Sequence, residues 1–171
     1  MNWTELIQAE IETTYQVTQA LIDMVDDGTL DWKPATGSNW MTVGQLLRHL
    51  TDGCGAAMRG FVTGDWGMPP EGELDGAEMM PPAEKLPTIT SVAECKRLLA
   101  EDQALALEML ARCSEDDLAT KQVVAPWNPD NPMALGYRLL QMVAHLGSHK
   151  AQLFYYLKLQ GLAVHTGHLW G

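Results

Sequence analysis

The stretch Leu139-Leu140-Gln141-Met142-Val143-Ala144-His145-Leu146-Gly147-Ser148-His149-Lys150-Ala151-Gln152-Leu153 carries two histidines four residues apart inside a long amphipathic pattern. Its apolar positions, Leu135, Leu139, Met142, Leu146, Leu153 and Leu157, recur at helical spacing, so one helix is expected from about Pro132 or Met133 to Gly161. Residues at i and i+4 of a helix lie one above the other, with Cβ atoms roughly 5–6 Å apart. His145 and His149 therefore share a face, at the edge of the apolar stripe and on the side of Arg138, Met142 and Tyr156. Two imidazoles so placed can point at one ion.

Three more helices are legible upstream. Asn2 and Glu5 have the spacing of a capping box, and the apolar positions from Trp3 through Val25 predict a helix that ends near Asp26-Asp27-Gly28. Thr42 and Gln45 form a second box. The helix they open is expected from Val43 to about Gly60 or Phe61, with Val43, Leu46, Leu50, Cys54, Ala57 and Phe61 as its stripe. His49 sits at the edge of that stripe, and Gly53 one turn on would leave space beside the His49 imidazole. Ser91 and Glu94 mark the start of a third helix, running to about Arg112, with Asp102 inside its stripe; a carboxylate buried there would need a partner, so an exposed edge position is expected for it. The stretch from Asp116 to Asn131 reads as a polar connection, turning at Pro126-Trp127-Asn128-Pro129. With no convincing alternating strand, these patterns predict an all-α fold. It is a four-helix bundle with a long connection between the second and third helices, in a single domain over residues 1–171.

That connection, 62–90, carries Pro69-Pro70, Pro81-Pro82, Trp66 and the methionines Met68, Met79 and Met80, and is expected to help shape a pocket. Its acidic residues Glu71, Glu73, Asp75 and Glu78 read as a solvated face. Of the tail, His165 and His168 read as histidines without a partner, either of which could fold back as an extra ligand.

Charge and composition exclude several function classes. With 22 acidic against 11 basic side chains, the formal charge of −11 repels phosphate backbones and anionic lipid, so neither nucleic acid nor a membrane is an expected partner. No apolar run approaches the roughly 18–20 residues of a membrane span. The start Met1-Asn2-Trp3-Thr4-Glu5 lacks a signal-peptide pattern, and Cys54, Cys95 and Cys113 form no CxxC, so a cytoplasmic location with reduced cysteines is expected. In the HExxH helix of metalloproteases a glutamate follows the first histidine; here Leu146 stands there, so the protease base is missing. No GxSxG, Walker-type or Gly-rich dinucleotide motif occurs.

If the second and fourth helices are neighbours, His49, His145 and His149 converge. Three neutral imidazoles leave one or more positions open on a divalent ion; zinc or nickel is the preferred expectation, with manganese, iron and cobalt also suited.

The Trp32-Lys33-Pro34 and Asn39-Trp40 loop, the following Thr42-Val43-Gly44-Gln45-Leu46-Leu47-Arg48-His49-Leu50, and the segment His145 to Leu153 together resemble the DinB/YfiT-like superfamily. Its members are metal-dependent helical-bundle proteins, unrelated to the DNA polymerase of similar name. The resemblance implies a four-helix bundle, often a homodimer, with His49, His145 and His149 as the metal triad. It also implies a small-molecule substrate, since some members are thiol S-transferases using low-molecular-weight thiols such as bacillithiol, mycothiol or glutathione. Others are isomerases or dehalogenase-like. Two readings remain open: a metal-dependent transferase or hydrolase, and a non-catalytic metal-binding or stress-related interaction protein.

Overall fold

A computed structural model describes residues 2–67 and 81–171, and within them the protein is mostly helical. The first helix, α1 (Trp3–Ile22), opens with the expected capping box: Asn2 accepts from the Glu5 amide and the Glu5 side chain returns to the Asn2 amide. A short turn of 3-10 helix, Asp27–Thr29, follows. The loop 31–42 then leads into α2 (Val43–Leu50), whose Thr42–Gln45 box also forms.

The expected second helix is interrupted. It divides into α2 and α3 (Gly55–Thr63), and the cause is a carboxylate from elsewhere. Asp102, on α4 (Val92–Ala111), accepts the amides of Gly55 and Ala56 at 3.0 Å each, which caps α3 from outside its own segment. Thr51 meanwhile turns its hydroxyl back onto the Arg48 carbonyl, at 2.7 Å. Gly55 is required at the junction, because a Cβ there would meet the Asp102 carbonyl oxygen at 2.2 Å.

Two further elements occupy the stretch expected to be irregular. Helix α5 (Glu115–Thr120) is capped reciprocally by Ser114 and Asp117. It leads into an antiparallel hairpin of β1 (Gln122–Ala125) and β2 (Asn128–Ala134), paired Gln122 with Ala134 and Val123 with Met133. Both strands are edges, so Pro129 and Pro132 are tolerated in β2. The hairpin turns at Pro126-Trp127 and delivers the chain into α6 (Leu135–Leu159), which is followed by the short α7 (Thr166–Trp170).

The connection between α3 and α4 is described at 64–67 and 81–91. Glu71, Glu73, Asp75, Glu78, Met68, Met79, Met80 and Pro69-Pro70 lie outside the described residues. Residues 81–89 are strapped onto the start of α2, where Gln45 donates to the carbonyls of Ala83 and Leu86, at 2.7 and 3.0 Å.

Helix α1 packs against α4 and α6, α3 lies against both α4 and α6, and α2 lies against α6. The predicted stripes supply the core: Ile7, Ile11, Leu46, Leu50, Leu99, Leu139, Leu146 and Leu153 are at most 2% exposed. Burial on this scale is the main term holding the helices together. The contact of α2 with α6 is the one that matters for the site.

Candidate metal centre

His49 lies in the last turn of α2; His145 and His149 lie on successive turns of α6. Packing of these helices brings the three rings together edge to face, with centroids 5.1, 4.4 and 4.6 Å apart. The Nε2 of His49 is 3.1 Å from the Nε2 of His145 and 3.1 Å from that of His149. One ligand nitrogen from each ring lies within 4.8 Å of the others. Zinc–nitrogen bonds of about 2.0–2.1 Å at tetrahedral angles place ligand nitrogens roughly 3.3 Å apart, close to the two separations from His49. Among the described residues no further His, Cys, Asp or Glu joins the cluster.

The electrostatics suit a cation. Burial holds all three imidazoles below their ordinary range, and that of His49 falls to about 4, helped by repulsion from His149 and His145. Neutral rings keep the lone pairs that a metal needs. The His149 tautomer is fixed from behind. Its Nδ1–H faces the Gln152 side-chain oxygen at 3.0 Å, Gln152 donates to the Tyr156 hydroxyl at 3.1 Å, and that hydroxyl donates to the Met41 carbonyl at 3.0 Å. Trp32 packs edge-on against Tyr156, with centroids 5.4 Å apart. The loop around Trp32 and Met41 thereby braces His149 through two side chains, leaving Nε2 directed at the cluster. Gly53 makes room for an imidazole, but for that of His145 and not of His49 as its spacing suggested: a Cβ there would meet the His145 ring at 3.2 Å.

The cluster forms part of the wall of a cleft of about 660 Å³, whose lining includes His49, His145, Asp52, Gly53, Trp127 and Arg138. Burial raises the Asp52 carboxyl to about 6, against the pull of Arg48. Its Oδ1 is 4.0 Å from the His49 Nδ1. Trp127, at the hairpin turn, is backed by Phe61 and Trp66, with centroids at 6.0 and 5.7 Å. The described part of the 62–90 connection thus shapes this wall indirectly, through Trp66. A larger groove, about 750 Å³, runs between α1, α6 and α7, but its lining of residues such as Leu6, Val143 and Trp170 contains no histidine. Size therefore does not pick out the chemistry here.

His165 and His168 do not reach the triad. They serve α7, where the His165 ring accepts from the Gly167 amide and the His168 ring accepts from the His165 amide, at 3.1 Å each. Asp102 is buried and belongs to the α3 cap; its expected exposed-edge placement is corrected by that bond pattern. Burial pushes the thiols of Cys54 and Cys95 up to about 12, as inert packing residues require.

Sequence reasoning missed Asp52, Gln152 and Trp127. Asp52 and Gln152 each stand three residues after a triad histidine, a helical spacing that could have flagged them; Trp127 had no comparable signal.

No curated protein and no solved structure matches the chain. The family model of the DinB superfamily matches residues 10–153, which include α2, most of α6 and all three histidines. With that match spanning most of its length, the chain belongs to the DinB superfamily.

Proposed function

We propose that His49, His145 and His149 hold one divalent metal ion, zinc or nickel by preference, and that the protein is a metal-dependent enzyme acting on small electrophilic molecules, a thiol S-transferase. In this reading α1, the α2–α3 pair, α4 and α6 are the four arms of a bundle. The observation that carries the proposal is the convergence of three neutral Nε2 atoms at the wall of an open cleft, with no fourth protein ligand among the described residues. Membership of a metal-binding superfamily supports it. Structural zinc sites are usually closed by four protein ligands, whereas an open position is what catalysis uses.

A divalent ion held by His49, His145 and His149 would supply Lewis acidity and lower the pKa of a thiol bound in the cleft. The remaining work falls to the chain. His149 is held in register by Gln152, and His145 by the space at Gly53. Asp52, in the same cleft and titrating near neutrality, is placed to take the thiol proton. The sulfur then forms its bond to the electrophilic carbon as the leaving group departs with its electron pair. Trp127 and Met142 offer an apolar wall to the electrophile.

The test loads metal-free protein with zinc, nickel or manganese and assays bacillithiol, mycothiol and glutathione with monochlorobimane. Metal-dependent conjugation that is lost in His145→Ala supports the proposal. Metal uptake with no rate above background for any of these thiols contradicts the transferase assignment and favours a non-catalytic metal protein.

The protein is also read as a cytoplasmic homodimer. Free cysteines suit a reducing compartment, and Tyr155, Leu159 and Trp170, all at least 60% exposed, give an apolar outer surface. Light scattering after size exclusion tests the dimer; a monomeric mass at micromolar concentration contradicts it.

A further inference from the structure

Arg138 is the anomaly of the cleft. Its residue is 4% exposed, yet it makes no ion pair with any carboxylate among the described residues. Buried charges are normally paired or fully hydrogen-bonded, and an arginine cannot shed its proton to escape the cost. The groups the guanidinium bonds to and stacks on are neutral. Nη1 donates to the Gln141 side-chain oxygen at 2.9 Å, Nη2 donates to the Asn131 carbonyl, and the group sits over the Phe61 ring, 5.9 Å from its centroid. The Nε–H has no partner at all. It is one of two buried side-chain polar atoms without one among the described residues, and the other, on Gln160, is outside this cleft.

Nε–H and the adjoining Nη–H form one edge of the guanidinium, the fork that binds a carboxylate through two parallel bonds. Arg138 lines the cleft together with His49 and His145. It precedes His145 by seven residues on α6, two helical turns or about 10 Å along the axis. Among the cleft-lining residues it is the one fixed positive charge. A chain of net charge −11 repels anions at long range, so an anionic ligand needs such a charge inside its site.

We propose that Arg138 is the specificity-determining residue of the cleft, and that the substrate taken there is a small carboxylic acid. Its carboxylate docks on the Arg138 fork, and its reacting end reaches the histidine cluster two helical turns away. The position of the reacting end rests on the metal-site reading; the carboxylate dock does not.

The test is calorimetric titration of metal-free and zinc-loaded protein with glutathione and with glutathione diethyl ester. The ester keeps the thiol and removes both carboxylates. The wild-type protein is expected to bind the acid at least about tenfold tighter than the ester in both states, against its own overall charge. In Arg138→Gln the preference falls to less than about threefold while zinc content stays at the wild-type level. Arg138→Lys, which keeps the charge without the fork, falls between. Equal binding of acid and ester by the wild type overturns the proposal without any variant, and so does a variant that weakens both ligands alike. A preference for the acid in protein that takes up no zinc leaves the dock standing and removes the metal reading. Zinc uptake with no preference does the reverse.

Discussion

Two groups of polar side chains interrupt the apolar core, and they are finished differently. Around Asp102 every group is answered: the carboxylate accepts the Tyr15 hydroxyl at 2.6 Å and the amides of Gly55 and Ala56 at 3.0 Å. Around His49 three imidazole nitrogens face one another at the wall of a cleft, with no carboxylate or further ligand among the described residues to complete the cluster. Both lie in the α2–α3 region and both bury titratable groups. A closed cluster of this kind fixes a chain path, whereas an open one is organised around something the chain does not itself supply. The Asp102 cluster also serves the other, because the cap it places on α3 accompanies the end of α2 one residue after His49 and leaves Gly53 outside both helices, beside His145.

The largest effect that would break this comparison is on stability. Asp102→Ala leaves the Tyr15 hydroxyl and two helix amides buried and unanswered, and should cost about 3–5 kcal/mol in urea unfolding. Folded protein recovered in mild conditions should still bind metal. A loss below about 1 kcal/mol would show that water or neighbouring groups replace the carboxylate readily.

A smaller effect sharpens the other side. Gln152→Ala frees the His149 ring to rotate and should weaken metal binding by about 10–100-fold, with unfolding of the metal-free protein nearly unchanged. Competition with a fluorescent chelator measures the first and urea the second. If stability falls as affinity holds, Gln152 belongs to the core and not to the site.

The gentlest probe is pH. His49 titrates near 4 in the folded protein and unfolded histidine near 6.5, so below about pH 6.5 the unfolded chain binds the extra proton. Its contribution to the metal-free protein is therefore present above about pH 6.5 and is lost as pH falls toward 4. The slope is at most about 1.4 kcal/mol per pH unit. Measured as wild type minus His49→Gln, the difference cancels Asp52 and Asp102, whose raised carboxyls act in the opposite direction. A flat difference between pH 7 and 5 would mean that His49 is not held neutral.

The two regions also differ in how far the sequence discloses them. The triad is legible because HxxxH fixes one face of α6 and a lone histidine marks the edge of another stripe; only the adjacency of the helices had to be supplied. The helix break is not legible. Val43 to Phe61 keeps one apolar phase through Thr51 and Gly53, and what interrupts it is a carboxylate nearly fifty residues away. Asp102 itself sits in a stripe of buried residues, where a polar position looks the same in sequence whether it faces a partner or solvent. The hairpin escapes notice for another reason: Pro129 and Pro132 read as breakers, and a two-stranded edge tolerates them. Local periodicity shows which residues can meet, while long-range capping is set by tertiary packing.

The central claim is that the His49 cluster is built for an ion. Elemental mass spectrometry of tag-free protein, with His145→Ala purified alongside, tests it most directly. Close to one divalent metal per chain is expected in the wild type and almost none in the variant. Wild-type protein that takes up no metal even after reconstitution, or a variant that keeps it, would rule out a three-histidine metal site.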